Sequence, residues 1–419
     1  MTHNTFLRRL LGALLPAALP AALLGGLLLG AQPAPAAAAP AHRPEAGAFG
    51  PGMVPGGPAF TDQTIRMVVH PSVAGTRPRL RVSNLRGSAD LRVGALAVAL
   101  RASGGAAVPG SHRAVTFADA PSTTIRAGGE LLSDPVPIRV ERGRDLLVSI
   151  HLPDATGPST QHRHAYETTY LTPPGSGDHT ADAGAGDYTA TTGSWYYLAG
   201  LSVVPATAAT TGTLVAFGDS ITDGTLSTPG TNRRWPDLLA DRLAAEPGGQ
   251  RLGVVNAGIF ANRMLSERDE TSGRPALERF SHDALGQPGV ATVIVLEGIN
   301  DITAGVNAEG LPLAPRDLID GYRTLIGRAH DAGVRIIGGT LLPNGNHSAG
   351  QNAIRTAVND WIRTGGEFDA VIDFDRATRD PARPDTLRPA YDSGDGLHPN
   401  DAGMRAMADA VDLAALTVS

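Results

Sequence analysis

The sequence predicts two parts of different fold class: an all-β part, followed by an α/β part with a parallel sheet covered by helices on both faces. Two observations predict this division. Between about residues 59 and 204, short segments alternate apolar and polar residues and are separated by Gly, Pro, Asn and Asp. From residue 213 onward, short apolar runs alternate with longer segments of helical period.

The first 41 residues are predicted to be a signal peptide. Arg8 and Arg9 precede the apolar run Leu10–Leu29, and Ala39-Pro40-Ala41 resembles a cleavage site. A membrane anchor is the alternative, since the apolar run approaches spanning length. Pro16 and the small residues downstream favour cleavage. We therefore expect a secreted protein with no stable membrane insertion after the signal is removed.

The predicted organisation continues with residues 42–58, which are rich in Pro, Ala and Gly and are expected to form a flexible leader. Residues 59–204 are expected to form a β-sandwich or jelly roll. Residues 205–212 are predicted to be a linker between domains, and residues 213–419 to be the α/β domain. The predicted strands of the β part are 64–70, 79–84, 91–100, 136–140, 145–152 and 195–204.

Two groups of polar residues in the β part are candidate metal sites. Asp178, Asp182 and Asp187 lie in a Gly-rich tract, but their spacing does not match a calcium-binding loop. His162 and His164 have no matching third ligand. Solvated polar loops are the favoured interpretation of both groups, and no metal or cofactor is expected.

The α/β part is predicted from five apolar runs and four segments of helical period. The predicted strands are 213–217, 253–257, 292–297, 334–340 and 370–373, and the predicted helices are 236–245, 315–331, 349–363 and 402–414. Such alternation produces right-handed crossovers and a parallel sheet. Five strands in this length are typical of a flavodoxin-like, three-layer doubly wound fold.

Four short motifs follow strand ends or precede the last helix. Ser220, in Gly218-Asp219-Ser220, follows the first strand, Gly258 the second and Asn300 the third, whereas Asp395 and His398 precede the last helix. Ligand sites of open parallel sheets lie at the carboxyl ends of the strands, so these residues are expected to be neighbours in space.

The residue types suit nucleophilic catalysis. A serine hydroxyl needs a base, which His398 can be, and a carboxylate such as Asp395 can orient the imidazole from three residues away. Backbone N–H groups of Ser220 and Gly258, with the Asn300 amide, could donate hydrogen bonds to an oxyanion.

Composition excludes several other chemistries. The chain of 419 residues has no Cys and no Lys, so cysteine nucleophiles, disulfides and Schiff bases are impossible. The net charge of −6 argues against nucleic-acid binding. We expect a monomer that acts on a small-molecule or polysaccharide substrate.

The four motifs together resemble those of the GDSL-type, or SGNH, hydrolase family. Gly218-Asp219-Ser220 is similar to the first block of that family, Gly258 to the second, Asn300 to the third and Asp395-Gly396-Leu397-His398 to the last. Ile221 stands where the family name has Leu. The resemblance covers about residues 213–416 and implies ester hydrolysis through an acyl-serine intermediate, without a metal. The β part resembles the sandwich domain that precedes such domains in secreted actinobacterial esterases.

Residues around these motifs are predicted to have supporting roles. Asp219 is expected to brace the turn before the serine. Asn262, Arg263 and Trp235 lie downstream of two motifs and are candidates for substrate binding.

The favoured function is a secreted carboxylester hydrolase that acts on short acyl groups, such as acetyl esters of polysaccharides. A lipase or lysophospholipase is the enzymatic alternative. An inactive carbohydrate-binding protein is the alternative of another class, and the presence of all five motif residues argues against it.

Overall fold

Residues 45–417 are described by the structure, which is a computed structural model. The predicted signal peptide, residues 1–41, lies outside the described residues. None of the helices described here has the length and apolar character needed to cross a bilayer.

Antiparallel strands make up the first half of the chain, as the alternating pattern predicts. In order, β1 to β17 are Ala46–Phe49, Val54–Gly57, Gln63–Val69, Gly75–Ser83, Leu91–Val93, Ala95–Ser103, Ala106–Ala107, Arg113–Ala114, Thr123–Ile125, Glu130–Leu132, Arg139–Val140, Leu146–Leu152, Ser159–His162, Thr169–Leu171, Ala190–Thr192, Trp195–Tyr196 and Leu198–Pro205. One sheet has the order β1-β17-β4-β10, and a larger one has the order β15-β14-β3-β12-β6-β7. Smaller sheets are β16-β13-β2 and β5-β9.

The two larger sheets share one apolar core. Ile65 and Met67 on β3 belong to the same buried cluster as Leu80 and Val82 on β4. Val68, the residue after Met67, belongs to the opposite face and packs in a separate small cluster with Ala99 and Leu147. This period-two division is the physical origin of the alternation seen in the sequence.

A five-stranded parallel sheet carries the second half. Its strands are β18 (Gly212–Gly218), β19 (Leu252–Gly258), β20 (Val290–Leu296), β21 (Arg335–Gly339) and β22 (Ala370–Ile372), each within two residues of a predicted apolar run. The order across the sheet is β19-β18-β20-β21-β22, with all neighbours parallel. A short antiparallel pair follows, β23 (Arg379–Asp380) with β24 (Arg383–Leu387).

Eight α-helices are described in the second half. They are α1 (Ser220–Asp223), α2 (Trp235–Ala244), α3 (Ala276–Phe280), α4 (Ile299–Ala304), α5 (Pro315–Asp331), α6 (Ala349–Thr364), α7 (Phe374–Thr378) and α8 (Asp401–Asp409). A π-helical turn, Ser281–Leu285, continues α3, and 3₁₀ turns lie at Glu270–Ser272 and Leu413–Leu416. The predicted helix 402–414 therefore ends earlier, and its last residues form a 3₁₀ turn.

The prediction of a flexible leader over residues 42–58 is wrong for residues 45–58, the part that the structure describes. Ala46–Phe49 is a fully buried strand that pairs with β17. A Cβ on Gly47 would lie 2.8 Å from Val255 Cγ2, and the Gly47 N–H donates to Thr213 Oγ1 at 2.8 Å. The small residues allow this strand to lie directly against the parallel sheet. Composition could not distinguish such close packing from flexibility.

The predicted boundary near Pro205 falls between the antiparallel sheets and the parallel sheet, but the two halves pack against each other. Among the described strands, none from before that residue pairs with the parallel sheet. All described residues nevertheless fall in one compact unit. The two halves thus have separate β-sheets and are joined through side-chain hydrogen bonds and close backbone contacts. The placing of a domain boundary at Pro205 stays a prediction.

One ionic contact between the halves centres on His282. Its Nε2 lies 2.9 Å from Glu130 Oε2, on β10, and its Nδ1 lies 2.7 Å from Asp283 Oδ1. Hydrogen bonds to these two carboxylates raise the pKa of His282 to about 10. The folded state therefore holds a proton that the unfolded chain releases near its usual pKa of about 6.5.

We expect Glu130→Gln to destabilise the protein in a pH-dependent way. The raised pKa means that the stabilisation is complete below pH 6.5 and is lost as the pH rises towards 10. The variant should lower the free energy of unfolding by about 1 kcal/mol at pH 7, since the imidazole is partly exposed. It should also lose less stability than the parent protein between pH 7 and 9.5. Urea unfolding at both pH values measures this.

Glu141→Gln is the matched control, because Glu141 is exposed and pairs only with nearby Arg144 at 3.6 Å. Its unfolding free energy should follow that of the parent protein at every pH. Equal pH dependence in the parent and Glu130→Gln would contradict the role assigned to the bridge.

Candidate active site

Ser220 lies at the carboxyl end of β18, an interior strand of the parallel sheet. The strand ends at Gly218, and Asp219 caps the one-turn helix α1 by accepting a hydrogen bond from the Ile221 N–H at 2.9 Å. A Cβ on Gly218 would lie 2.2 Å from the Leu296 carbonyl oxygen, so only glycine allows this turn beside β20. Ser220 itself is 2% exposed. The local geometry thus presents a serine at the sheet edge, and Asp219 supports it as expected.

His398 reaches Ser220 from a distant part of the chain. Ser220 Oγ lies 2.8 Å from His398 Nε2, and His398 Nδ1 lies 2.5 Å from Asp395 Oδ2. The three groups therefore form one continuous row, hydroxyl to imidazole to carboxylate. The structure brings together the three residues that the sequence nominated for catalysis.

The loop that carries the imidazole is held by carboxylates. Asp395 Oδ1 accepts from the N–H groups of Leu397 and His398 at 2.9 and 2.8 Å. Partial burial alone would raise the pKa of Asp395, but the hydrogen bonds from the His398 ring and from these two N–H groups lower it below its usual value. Asp395 is therefore a carboxylate at neutral pH. Asp392 Oδ1 holds the same loop through the N–H groups of Gly394 and Gly396.

Gly258 lies where β19 ends beside α1. A Cβ there would be 2.2 Å from Asp223 N, which explains the glycine. Its N–H donates to Asn256 Oδ1 at 3.0 Å. This N–H was expected to donate to an oxyanion, and in the structure it already has an acceptor. Asn256 also donates from Nδ2 to the Thr222 carbonyl at 2.7 Å, a link to the serine helix that the sequence did not reveal.

Asn300 lies in the first turn of α4, after a left-handed residue, Gly298, with φ 117°. Its Nδ2 donates one hydrogen bond to the Asn262 carbonyl at 2.9 Å, which fixes the amide and leaves its second N–H available. The Ser220 N–H is the first of its helix and so has no acceptor within that helix. These are two of the three expected oxyanion donors.

Two of the three expected substrate-binding residues are structural. Trp235 is fully buried, with its ring 5.4 Å from that of Phe374. Asn262 is 1% exposed, and its side chain donates to the Ser272 and Arg274 carbonyls and accepts from Arg279. Both predictions are wrong, because the sequence shows proximity along the chain but not burial. Arg263 is half-buried, and its role in substrate binding stays a prediction.

Buried charges lie beneath the site. Burial raises the pKa of Asp219 to about 7 and that of Asp301 to about 6, and it raises the pKa of Glu297 well above its usual value. Arg279, 2% exposed, is the cation among them, with its Nη2 3.6 Å from Glu297 Oε2. No motif pointed to Arg279, because its only sequence signal is a charge on a short apolar segment.

The two groups of polar residues considered as metal sites have different surroundings in the structure. Asp182 and Asp187 approach His179, with ring-to-carboxylate distances of 2.7 and 3.8 Å, whereas Asp178 accepts from the Thr180 N–H. The buried cation Arg66 donates to carbonyl groups of this tract, so the loop is built on an internal guanidinium. His162 is not in a polar loop as expected: it is 4% exposed and pairs with Asp223.

A parallel α/β layer with a hydroxyl, an imidazole and a carboxylate in one row at the strand ends defines the class of serine hydrolases. Residues 216–406 match the model of the GDSL-like Lipase/Acylhydrolase family. The chain thus contains a GDSL-like lipase/acylhydrolase domain, and it is a hydrolase of ester bonds. The match begins inside β18 and ends inside α8.

Solved structures similar to this chain include an alpha/beta hydrolase enzyme from the metagenome of Lake Arreo, Spain, with 24% identity, coverage of 49% of this chain and 95% of that one, and a TM-score of 0.38. A variant of an acetyl xylan esterase from Geobacillus stearothermophilus has 22% identity, coverage of 48% and 93%, and a TM-score of 0.38. A GDSL-like lipase from Bacteroides thetaiotaomicron has 19% identity, coverage of 48% and 86%, and a TM-score of 0.35. None of the curated proteins matches the chain.

We expect Gly258→Ala to displace the serine helix. The added Cβ would overlap the backbone of Asp223 and Thr222, which flexible side chains cannot relieve. The variant should lose about 1–3 kcal/mol of stability and about 100-fold in kcat/KM through misplacement of Ser220. Thermal unfolding and ester hydrolysis measure both effects.

Gly327→Ala is the matched control, since Gly327 is exposed in α5 with no atom near its added Cβ. It should stabilise the protein by about 0.5–1 kcal/mol and leave hydrolysis unchanged. Activity of Gly258→Ala equal to that of the control would show that the tight contact does not position the serine.

Proposed function

We propose that this protein is a serine carboxylester hydrolase that uses an acyl-serine intermediate, with Ser220 as nucleophile, His398 as general base and acid, and Asp395 as the orienting carboxylate. The observation that carries this proposal is the row of contacts from Ser220 Oγ to His398 Nε2 at 2.8 Å and from His398 Nδ1 to Asp395 Oδ2 at 2.5 Å. A nucleophile, a base within hydrogen-bond reach and a group that fixes the base are the three requirements of this chemistry.

In the acylation step, Ser220 Oγ bonds to the ester carbonyl carbon while its proton moves to His398 Nε2. The bond from that carbon to the alcohol oxygen then breaks, and the alcohol leaves with the proton from Nε2. In deacylation, water gives a proton to Nε2 as its oxygen bonds to the acyl carbon, and Ser220 Oγ recovers the proton when its bond breaks. The sum is ester and water converted to acid and alcohol.

The proposed oxyanion donors are the Ser220 N–H, the second N–H of the Asn300 amide and the Gly258 N–H. The first two are supported by their position at the strand ends and by the fixed orientation of the amide. The Gly258 N–H would have to exchange its Asn256 acceptor for the oxyanion. Each donor in such a site is worth about 3 kcal/mol of transition-state stabilisation.

Short acyl groups, such as acetyl esters of polysaccharides or small molecules, are the proposed substrates. Long acyl chains need an extended apolar surface. Among the described residues, only five large hydrophobic side chains are exposed, of which Leu226 follows the serine helix and Val306 and Leu311 lie in the loop after α4.

We also propose that the protein is secreted, on the basis of the N-terminal charged, apolar and small-residue pattern. The strand order of the parallel sheet, in which the second strand is the edge strand beside the first, supports a flavodoxin-like fold. The common core of the two larger antiparallel sheets supports a β-sandwich in the first half.

Ser220→Ala is expected to abolish hydrolysis of nitrophenyl acetate, with kcat reduced by at least about 10⁴-fold, because it removes the hydroxyl that contacts His398 Nε2. Near-ultraviolet circular dichroism should be unchanged. Ser88→Ala, which alters an exposed serine of the first half, should retain full activity. Turnover by Ser220→Ala at the parent rate would exclude the proposed nucleophile.

A series of nitrophenyl esters with acyl chains of two to twelve carbons should give the highest kcat/KM for the shortest chains, since few large hydrophobic side chains are exposed among the described residues. Acetylated xylan, assayed by acetate release, extends the test to polysaccharide. A maximum at eight carbons or longer would favour the lipase or lysophospholipase alternative.

A further inference from the structure

A side chain of the first half reaches the helix that carries Ser220. His162 ends β13 and is 4% exposed, and its Nε2 lies 3.0 Å from Asp223 Oδ1. Asp223 is the last residue of α1, and its side chain is 2% exposed. The contact is therefore a buried pair that joins the β-rich half to the four-residue helix beginning at the serine.

The surroundings of the ring require it to be a cation. Nδ1 of His162 lies 2.9 Å from the Gly52 carbonyl oxygen, and Nε2 faces the Asp223 carboxylate, with the His164 carbonyl oxygen at 3.2 Å. Carbonyl and carboxylate oxygens only accept hydrogen bonds. Both ring nitrogens must then carry protons for both contacts to be hydrogen bonds, which makes the ring an imidazolium.

The serine helix needs such a partner. A single helical turn has little stability of its own. Its last residue is an aspartate, placed where the backbone carbonyl groups already give the helix end a partial negative charge. A buried carboxylate at that point is costly unless a cation faces it. We propose that His162, as a buried imidazolium, is a positioning residue that holds the serine helix through Asp223, an inference that rests on the proposed function of Ser220.

The other groups around the ring do not replace it. Arg234, at the start of α2, is buried and its charge also acts on Asp223, but its side-chain hydrogen bonds go to Asp237, the shorter one at 2.7 Å. The ring of Trp195 stacks on His162 at 5.4 Å and carries no charge. Burial alone would lower the pKa of His162, and Arg234 and the neighbouring His164 are positive or potentially positive groups nearby.

The charge and hydrogen bond of Asp223, followed by the Gly52 carbonyl, outweigh that burial and raise the pKa of His162 above its usual value. The cationic form is therefore complete at acidic pH and is lost as the pH rises through the raised pKa. Loss of the cation would release Asp223 and loosen the serine helix, so kcat should have an alkaline limb that His162 causes.

The test uses the full chain with His162→Gln. Glutamine can hydrogen-bond to one of the two acceptors but carries no charge. We expect kcat for nitrophenyl acetate to fall by about 10- to 100-fold, as for a misplaced nucleophile, with KM within about twofold of the parent value. The alkaline limb of the kcat–pH profile should disappear. His151→Gln is the control, because His151 forms a similar pair with Asp62 at 3.1 Å within the first half.

A folded His162→Gln variant with the parent kcat and the parent alkaline limb would overturn the inference. If that variant does not fold, nitrogen NMR of the parent protein decides. An imidazolium signal of His162 at pH 7, with a titration midpoint equal to that of the kcat limb, supports the inference. A neutral ring at pH 7, or a midpoint different from the limb, overturns it. Failure of the proposed function can be distinguished from failure of this inference, because only the former would leave Ser220→Ala active.

Discussion

One buried guanidinium organises the edge of the sheet on which the site depends. Arg279 donates to the carbonyl groups of Gly218 and Ala257, both at 2.8 Å, and to Asn262 Oδ1 at 2.8 Å. These acceptors belong to the segments that carry the serine, the glycine of the second motif and the carbonyl that fixes Asn300. Carbonyl groups at the ends of these two strands would otherwise be buried without donors, and the five N–H groups of arginine satisfy several of them at once.

The charge of Arg279 also acts on two buried carboxyl groups, Asp219 and Glu297, and the guanidinium pairs with a third, Asp283, at 3.2 Å. Burial nevertheless raises the pKa values of Asp219 and Glu297, and it also raises that of the neighbouring Asp301. Such groups reduce stability as the pH rises through the range between their unfolded and folded pKa values. The arrangement is consistent with a site that gives up stability to hold a short turn, a helix start and a loop in fixed positions.

The two halves of the chain contribute unequally to this site. The second half supplies the catalytic row of Ser220, His398 and Asp395. The first half supplies contacts that support the elements on which this row lies. Glycine and alanine in β1 let that strand lie on the parallel sheet, and Glu130 and His162 reach charged groups of the second half. A β-rich half connected in this way is a structural part of the hydrolase.

The sequence alone determined the parallel strands, the long helix Pro315–Asp331 and the meeting of Ser220 with His398. Buried strands and amphipathic helices have periods that can be counted, and strand ends meet at one edge. Only the tertiary structure decided which polar residues are buried. It buried Trp235 and Asn262, which the sequence suggested for substrate binding. It gave Arg279 and Asn256 hydrogen bonds that hold the site, and it paired His162 with Asp223, 61 positions further along the chain. Burial and long-range pairing depend on how the halves pack, and no local period encodes that packing.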